Sequence, residues 1–456
     1  MPPSPATPSA TTSVPSPVLT SARDVLDPGH LRAALRVNPA DATLAAALRV
    51  GATAAVVLAL SAAAGRTDLA GFASLGALTI LYGRYEPYRR RAALLAGVAV
   101  GFTVAFVLTA SLAAAGMPSL VVLTVVALIA GVATALCALV RTGPPGATIV
   151  VFAAAGGMVG PLAWSDVAER GTAFALGAMI AWAVGMSGYL VRPSAPARLA
   201  VRRAADAVRR SLDTDPDAVP DAATNAARTA AAAVARAREV LADDLSHRRT
   251  RDTARVLAAE LAAVAAALGP TAPEGTITRP STPADALPAR RRLRDDARAT
   301  WATSGWRLAG VRVLVAGVVS GAVTLASGLS HPAWAQLGAT ATLQGATTHH
   351  AVVRALQRGG GTVLGALLAW PLLAAHLSFA ATCVVVVVLQ VVTEVVVGRH
   401  YGLAMLTITP MALLMTSLGG AVDPAGIAAS RALDTVLGAA LGVLAVVLVH
   451  PRRPGG

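Results

Sequence analysis

The chain of 456 residues is 55% hydrophobic and 14% charged, with a mean hydropathy of +0.63, which argues against a soluble protein and for a polytopic helical membrane protein. All 38 basic residues are arginine, so a Walker A phosphate loop and lysine-imine chemistry, which both need a lysine amine, are excluded. The net charge of +14 reads as a membrane-topology signal, because no nucleic-acid reader motif accompanies it and no nucleic-acid partner is expected.

Residues 1–44 are expected to be a cytoplasmic N-terminal tail, partly disordered. Residues 1–20 are rich in Pro, Ser, Thr and Ala and lack the apolar core of a signal peptide. Apolar runs near the roughly 20 residues that cross a bilayer then follow at 45–64, 69–83, 92–115, 119–140, 145–163 and 171–191. They form a first six-helix unit over 45–192. A polar, Ala- and Arg-rich insert, 193–305, predicts a cytoplasmic helical domain with helices over 195–212 and 222–268 and Pro/Gly breaks near 216–220 and 269–288. Its arginines read as a solvated face with ion pairs such as Arg251 with Asp252 or Arg294 with Asp295, and as contacts for anionic lipid headgroups. Runs at 309–328, 332–349, 359–377, 379–397, 401–418 and 429–449 form a second unit over 306–451, and 452–456 is a cytoplasmic C-terminal tail. The expected fold class is therefore all-α, with 12 transmembrane helices and a cytoplasmic helical insert. Cys137 and Cys383 lie inside apolar runs and act as small hydrophobes.

Arginine in the short loops sets the orientation. With a cytoplasmic N-terminus, the inner loops hold Arg84, Arg89, Arg90, Arg91, Arg141, Arg354, Arg358 and Arg399, and the outer ones little beyond Arg66 and Arg170. The positive-inside rule then places both termini in the cytoplasm.

The chain also repeats itself. "LGALTILYG" (75–83) and "LGATATLQG" (337–345) share L-G-A-x-x-x-L-x-G at an offset of 262. Gly97-x-x-x-Gly101 echoes Gly361-x-x-x-Gly365, "RGTAFALGAM" (170–179) parallels "RALDTVLGAA" (431–440), and Arg192-Pro193 parallels Arg453-Pro454. Four matches near one offset predict two copies of a six-helix unit, related by an axis along the membrane normal because six crossings return each copy to its starting side.

The second copy resembles a known family. "RALQRGGGTVLGALLA" (354–369), "RHYGLAMLTITPMALLM" (399–415) and "RALDTVLGAALG" (431–442) look like the conserved stretches of the fusaric acid resistance protein-like family, which overlaps the aromatic acid exporter superfamily. The resemblance is sharp in the C-terminal half only; where Asp434 stands, the first copy has Ala173. It implies an inner-membrane exporter or permease for small organic anions, typically aromatic carboxylates.

Charge retained inside a bilayer costs at least about 2.5 kcal/mol per residue and asks for a reason. Arg431 and Asp434, three apart on one helix face, are within reach of pairing. Arg431 and its repeat mate Arg170 are the expected carboxylate-binding cations, with Asp434 releasing the arginine or carrying a proton; the alternative is a rim ion pair. Glu394 is a candidate proton-coupling carboxylate, or else a partner of Arg399 or Arg354. Pro410 should loosen its helix, with Thr407 and Thr409 re-satisfying freed carbonyls or lining a path. Gln336, Thr340, Thr342 and Gln344 give the second copy a polar interior. Trp164, Trp301, Trp306 and Trp334 read as interface anchors, and Trp182 and Trp370, further in, as packing residues or, for one of them, a surface for stacking an aromatic substrate. Arg49 and Arg312 read as snorkelling anchors, and the adjacent His349 and His350, which cannot share a helix face, as interface residues rather than a metal site. The reading is a secondary exporter of small organic anions, with no enzyme chemistry, cofactor or metal expected. Its partners are the anion and membrane lipid, with homo-oligomerisation left open. A passive anion channel of the same fold, and a membrane scaffold acting through the insert, are the alternatives.

Overall fold

The structure, a computed structural model, describes residues 25, 27–37, 44–160, 162–214, 220–268, 287–344, 347–418 and 423–448. The expected tail segments 1–20 and 452–456, most of the Pro/Gly breaks at 216–220 and 269–288, and the Arg453-Pro454 match lie outside them. Among the described residues the regular structure is all helical, with no strand. In the first half these are α1 (Gly29–Leu35), α2 (Leu44–Ala63), α3 (Ala70–Ala77), α4 (Tyr88–Ala114), α5 (Ser119–Leu139), α6 (Thr148–Gly156) and α7 (Trp164–Val191), with 3-10 turns at Thr67–Leu69 and Leu78–Leu81 flanking α3. The insert supplies α8 (Ala195–Leu212), α9 (Pro220–Leu245), α10 (Arg251–Ala266) and α11 (Leu293–Trp301). The second half contains α12 (Gly305–Ala326), α13 (Pro332–Thr342), α14 (Thr348–Ala374), α15 (Phe379–Val396), α16 (Tyr401–Ser417) and α17 (Pro424–Leu448).

Two helices of the second half, α14 and α15, begin at hydroxyl side-chain caps. The Thr347 hydroxyl accepts from the His350 N–H at 3.2 Å at the head of α14, and Ser378 does the same for Ala381 at 3.3 Å in α15. Among the described residues seven helices, α2, α4, α5, α7, α12, α15 and α17, are long and apolar enough to cross a membrane. The twelve expected crossings are therefore not twelve full-length helices. α3, α6 and α13 contain 8, 9 and 11 residues, and at about 1.5 Å per residue each reaches roughly half of a hydrocarbon core. Such half-spans are tolerated where they are buried in protein or line a cavity, and that is where these lie. α14 is long enough, but its first turns carry Arg354 and Arg358.

Within each half the same partners meet. α3 and α4 pack on α7 as α13 and α14 pack on α17; α4 packs on α6 as α14 packs on α16. Across the halves α2 lies against α15 and α5 against α12, while α6 touches α13 and α3 touches α16. The motif glycines make the tightest of these contacts. A Cβ on Gly177 would overlap the Ala73 carbonyl oxygen, and one on Gly438 the Ala335 carbonyl; Gly76 faces the Phe174 carbonyl, and Gly338 the Thr435 carbonyl. Backbones meet there as they do at small-residue seams in membranes. Gly97 and Gly101 differ, with nothing within 4 Å of an added Cβ, whereas Gly361 and Gly365 press on the backbone of α16. Alanine at 97 or 101 should therefore raise thermal stability by up to about 1 kcal/mol, the helix-propensity gain, while alanine at 361 or 365 lowers it; melting of the four single variants in detergent checks the contrast.

The insert has its own core, in which Val201, Val208, Val234, Leu241, Leu257 and Leu261 are all buried between α8, α9 and α10. The expected helix 222–268 is broken at residues 246–250, where Thr250 Oγ1 donates to the Asp244 carbonyl at 2.6 Å and closes a turn. Arg294 pairs with Asp295 as expected, but Asp252 pairs with Arg255 rather than Arg251. Asp244 is buried beside Asp243, and burial, followed by that neighbouring charge, pushes its carboxyl up to about 7. A carboxyl raised in the folded state binds more protons than in the unfolded chain between its ordinary value and 7, so stability falls as pH rises through that window. Asp244→Asn should flatten the decline; melting at pH 5 and pH 8 reads it as a smaller difference than in the wild type.

The insert docks where α4 begins and α7 ends. Arg249 donates to the Leu190 carbonyl at 3.0 Å, and the Arg203 guanidinium lies 3.9 Å from the Tyr85 ring centre. This end is the insert side, and the end holding the α12–α13 loop is the far side. α1 also sits on the insert side, where the Gln357 amide donates to the Ala34 carbonyl at 2.9 Å.

Candidate functional site: an arginine-walled cavity between the halves

A cavity of about 880 Å³ runs inward from the insert, between the short helices of both halves, and ends at Arg431. Nine arginines and four carboxylates line it, so its field is positive. The carboxylates are engaged at the mouth and on one wall. Glu86 bridges Arg90 and Arg236, at 2.9 and 2.8 Å; Asp296 pairs with Arg90 and, at 2.7 Å, with Arg291. Glu239 meets Arg236 and Arg291 at 3.0 and 3.3 Å, and Glu394 pairs with Arg84.

The deep end is different. Arg354, Arg358 and Arg431 surround Tyr401 there, and none of the three forms an ion pair among the described residues. Arg354 lies over the Tyr401 ring, 4.2 Å from its centre, and is held by the Ala341 carbonyl at 3.0 Å and by Gln344 Oε1 at 3.3 Å. Arg358, 2% exposed, donates to the Tyr401 hydroxyl at 2.6 Å. Arg431, 3% exposed, sits 5.0 Å from the Trp334 ring centre, with Nε and Nη1 lacking a hydrogen-bond partner. A desolvated cation–π contact is worth about 2 kcal/mol or more and offsets part of the several kcal/mol needed to desolvate a charge. The unmet N–H groups and the mutual repulsion of Arg358 and Arg431 would both be relieved by an anion between them.

Beyond Arg431 the path is closed toward the far side by an apolar cluster that includes Leu58, Trp334, Leu373, Met411, Leu414 and Ile427, contributed by both halves. A cavity open toward the insert and shut by apolar side chains beyond Arg431 is the geometry of a site that loads from one side.

The site residues expected from sequence are thus only partly brought together. Arg431, Glu394 and Gln344 line the cavity. Arg170 does not: near the far end of α7 it donates to the Val159 carbonyl at 2.7 Å and lies 5.0 Å from the Phe72 ring centre, outside the cavity lining. Asp434 is fully buried, but its partner is the Ser430 hydroxyl at 2.8 Å, and no ion pair with Arg431 forms; Trp334 draws the guanidinium the other way. Glu394 pairs with Arg84 instead of Arg399 or Arg354. Thr409 is buried against Gly365 on α14, off the cavity wall, with its hydroxyl unpartnered. Pro410 is buried within α16, which continues through it to Ser417. The Thr407 hydroxyl donates to the Ala404 carbonyl at 2.9 Å, and not to the Leu406 carbonyl that Pro410 leaves without its N–H. Gln336 bonds the Leu123 and Gly317 carbonyls at 2.8 and 3.1 Å and so ties the halves together. Trp334 is buried rather than an interface anchor, and Trp182 and Trp370 are exposed outside the cavity, so neither can stack on a substrate within it.

Sequence reasoning missed Arg354, Arg358 and Tyr401 as site residues. The two arginines count as loop charges only if their helix starts at 359. The Thr347 cap starts it at 348, which places them four apart on one face.

Comparison with known proteins points to this same region. Residues 315–445 match the fusaric acid resistance protein-like family. The matched stretch runs from α12 to α17 and contains Arg354, Arg358, Tyr401 and Arg431. A 146-residue stretch is 31% identical to the uncharacterized membrane protein YvaC of Bacillus subtilis (strain 168), covering 31% of this chain and 23% of that relative. The chain thus matches under a quarter of the length of this curated relative. No solved structure matches the chain.

Proposed function

We propose that the protein is a secondary transporter that exports small organic anions, with aromatic carboxylates the preferred class, across the cytoplasmic membrane. The observation that carries this reading is the buried Arg431 guanidinium at the blind end of a cavity, with two nitrogens unpartnered. Arginine binds carboxylate through a planar fork, and the apolar wall formed by Phe152, Leu337, Ile408 and Met411 suits the ring that a carboxylate would bring with it.

The insert and both termini are placed in the cytoplasm, which is supported by the arginines gathered at the insert side. The cavity then loads from the cytoplasm, and an interior-negative potential helps to expel the anion. The two halves are two copies of one unit, related by an axis along the membrane normal. Support comes from the matching helix partners, from the glycine contacts at offsets of 262 and 261, and from Arg170 over Phe72 recurring as Arg431 over Trp334. The apolar closure beyond Arg431 favours alternating access over a passive channel, whose path stays open.

Efflux of radiolabelled benzoate from proteoliposomes tests the reading. The wild type should release benzoate faster than empty vesicles, and an excess of a second aromatic carboxylate should slow it. Release no faster than the empty-vesicle leak would sink it.

A further inference from the structure

We propose that His331, Ser430 and Asp434 form a proton relay from the far side to a carboxylate that sets the anion affinity of Arg431. The inference rests on the anion-transport reading and names its coupling site. His331 caps α13 in the far-side loop and is half-buried, Ser430 is 9% exposed, and Asp434 is fully buried. His331 Nδ1 lies 2.7 Å from Ser430 Oγ, and Ser430 Oγ donates to Asp434 Oδ2 at 2.8 Å. The three groups thus form one chain of hydrogen bonds running from surface to interior. The other carboxylate oxygen, Oδ1, is buried without a partner, an arrangement that suits a carboxyl carrying a proton and is costly for a carboxylate.

The same residues reach the cavity through Trp334. The His331 ring stacks on the indole at 4.1 Å with planes 10° apart, and the Arg431 guanidinium lies 5.0 Å from the indole centre. Charged or titratable groups acting on this centre are His331 from the head of α13 and Arg431 on α17, with Arg358 from α14 and Tyr401 from α16 acting on Arg431. At the corresponding offsets the first half carries Leu69, Glu169 and Ala173, so the relay is built once.

The step needs no outside reagent other than water. A protonated His331 gives its Nδ1 proton to Ser430 Oγ as the Oγ proton passes to Asp434 Oδ2. The imidazole, now neutral, is reprotonated from far-side water. Neutral Asp434 no longer repels an anion at Arg431, so proton and anion occupancy support each other. A unit charge one or two helix turns away, at an effective dielectric constant of about 20, changes affinity roughly tenfold or more.

Benzoate binding to the purified full chain, titrated from pH 5 to pH 8, is the first test. Affinity in the wild type should weaken about tenfold as pH rises, and Asp434→Asn should bind at the tight limit throughout. Proton movement driven by a benzoate gradient in proteoliposomes is the second. Ser430→Ala should keep pH-linked binding but lose fast coupled proton movement, and Ser430→Thr, which restores a hydroxyl, should recover it. Wild-type binding that ignores pH, or an Asp434→Asn variant that keeps the pH dependence, overturns the relay while Arg431-dependent efflux leaves the transport reading standing. Absence of benzoate binding at every pH removes both.

Discussion

Replacing Arg431 with methionine is expected to lower benzoate efflux about a hundredfold and, in the same protein, to raise its melting temperature. The two effects have one cause. Arg431 is buried with two of its nitrogens unpartnered, and no carboxylate pairs with it among the described residues. A carboxylate seated in its fork makes two charge-assisted hydrogen bonds, each worth about 1.5–3 kcal/mol net; losing about 3 kcal/mol of binding corresponds to roughly a factor of 100. Without ligand the same guanidinium is a desolvated charge, and exchanging such a group for an apolar side chain of similar length is commonly neutral or stabilising. A residue that merely braced the fold would show the opposite sign in the melt, and one irrelevant to transport would leave efflux unchanged. Efflux and melting measured on one preparation separate the three cases.

Alanine at Gly177 or Gly438 should give the largest stability losses in the membrane bundle, about 3 kcal/mol each, at the upper end of ordinary overpacking costs. At both positions the added methyl meets a backbone carbonyl, of Ala73 or of Ala335. A side chain could rotate away, but a carbonyl moves only if its helix moves. The Gly438 change also displaces α13, which carries Trp334 against Arg431, so it should impair efflux even in the fraction that folds. Gly177→Ala, in the first half, should reduce yield and melting temperature with less effect on the efflux of the folded fraction. Fluorescence-detected size exclusion and melting in detergent provide the comparison, and wild-type behaviour at both positions would remove the interlock as an organising contact.

These glycines also show why some of the helix contacts were legible in the sequence. The matching motifs around Gly76 and Gly338, and around Gly177 and Gly438, are opposite sides of the same helix contact. Close backbone approach leaves so little freedom of residue type that the pattern survives in an Ala/Leu-rich chain. The site was less legible because hydropathy registers a helix only where it is greasy. Arg354 and Arg358 reduce the apolar signal at the head of α14, and Gly359, Gly360 and Gly361 following them resemble a loop; in the fold Gly361 lets α16 approach closely. The spacing put Arg431 and Asp434 on one helix face, where both are buried, but gave them the wrong partners. Spacing alone cannot reveal that Trp334, nearly one hundred residues away in the chain, draws the arginine while Ser430 takes the aspartate. The short lengths of α3 and α6 were hidden for a related reason, since apolar residues continue into the turns that follow them.

The central claim, that an anion sits at the blind end of the cavity against Arg431, is tested most directly by locating one. Anomalous scattering from 4-bromobenzoate in crystals of the full chain should place its bromine among Phe152, Ile408 and Met411, with the carboxylate within hydrogen-bond reach of Arg431 and Arg358, and the peak should vanish in Arg431→Met. A bromine peak on the outer surface of the bundle, or one in the cavity that persists unchanged in Arg431→Met, would contradict the account.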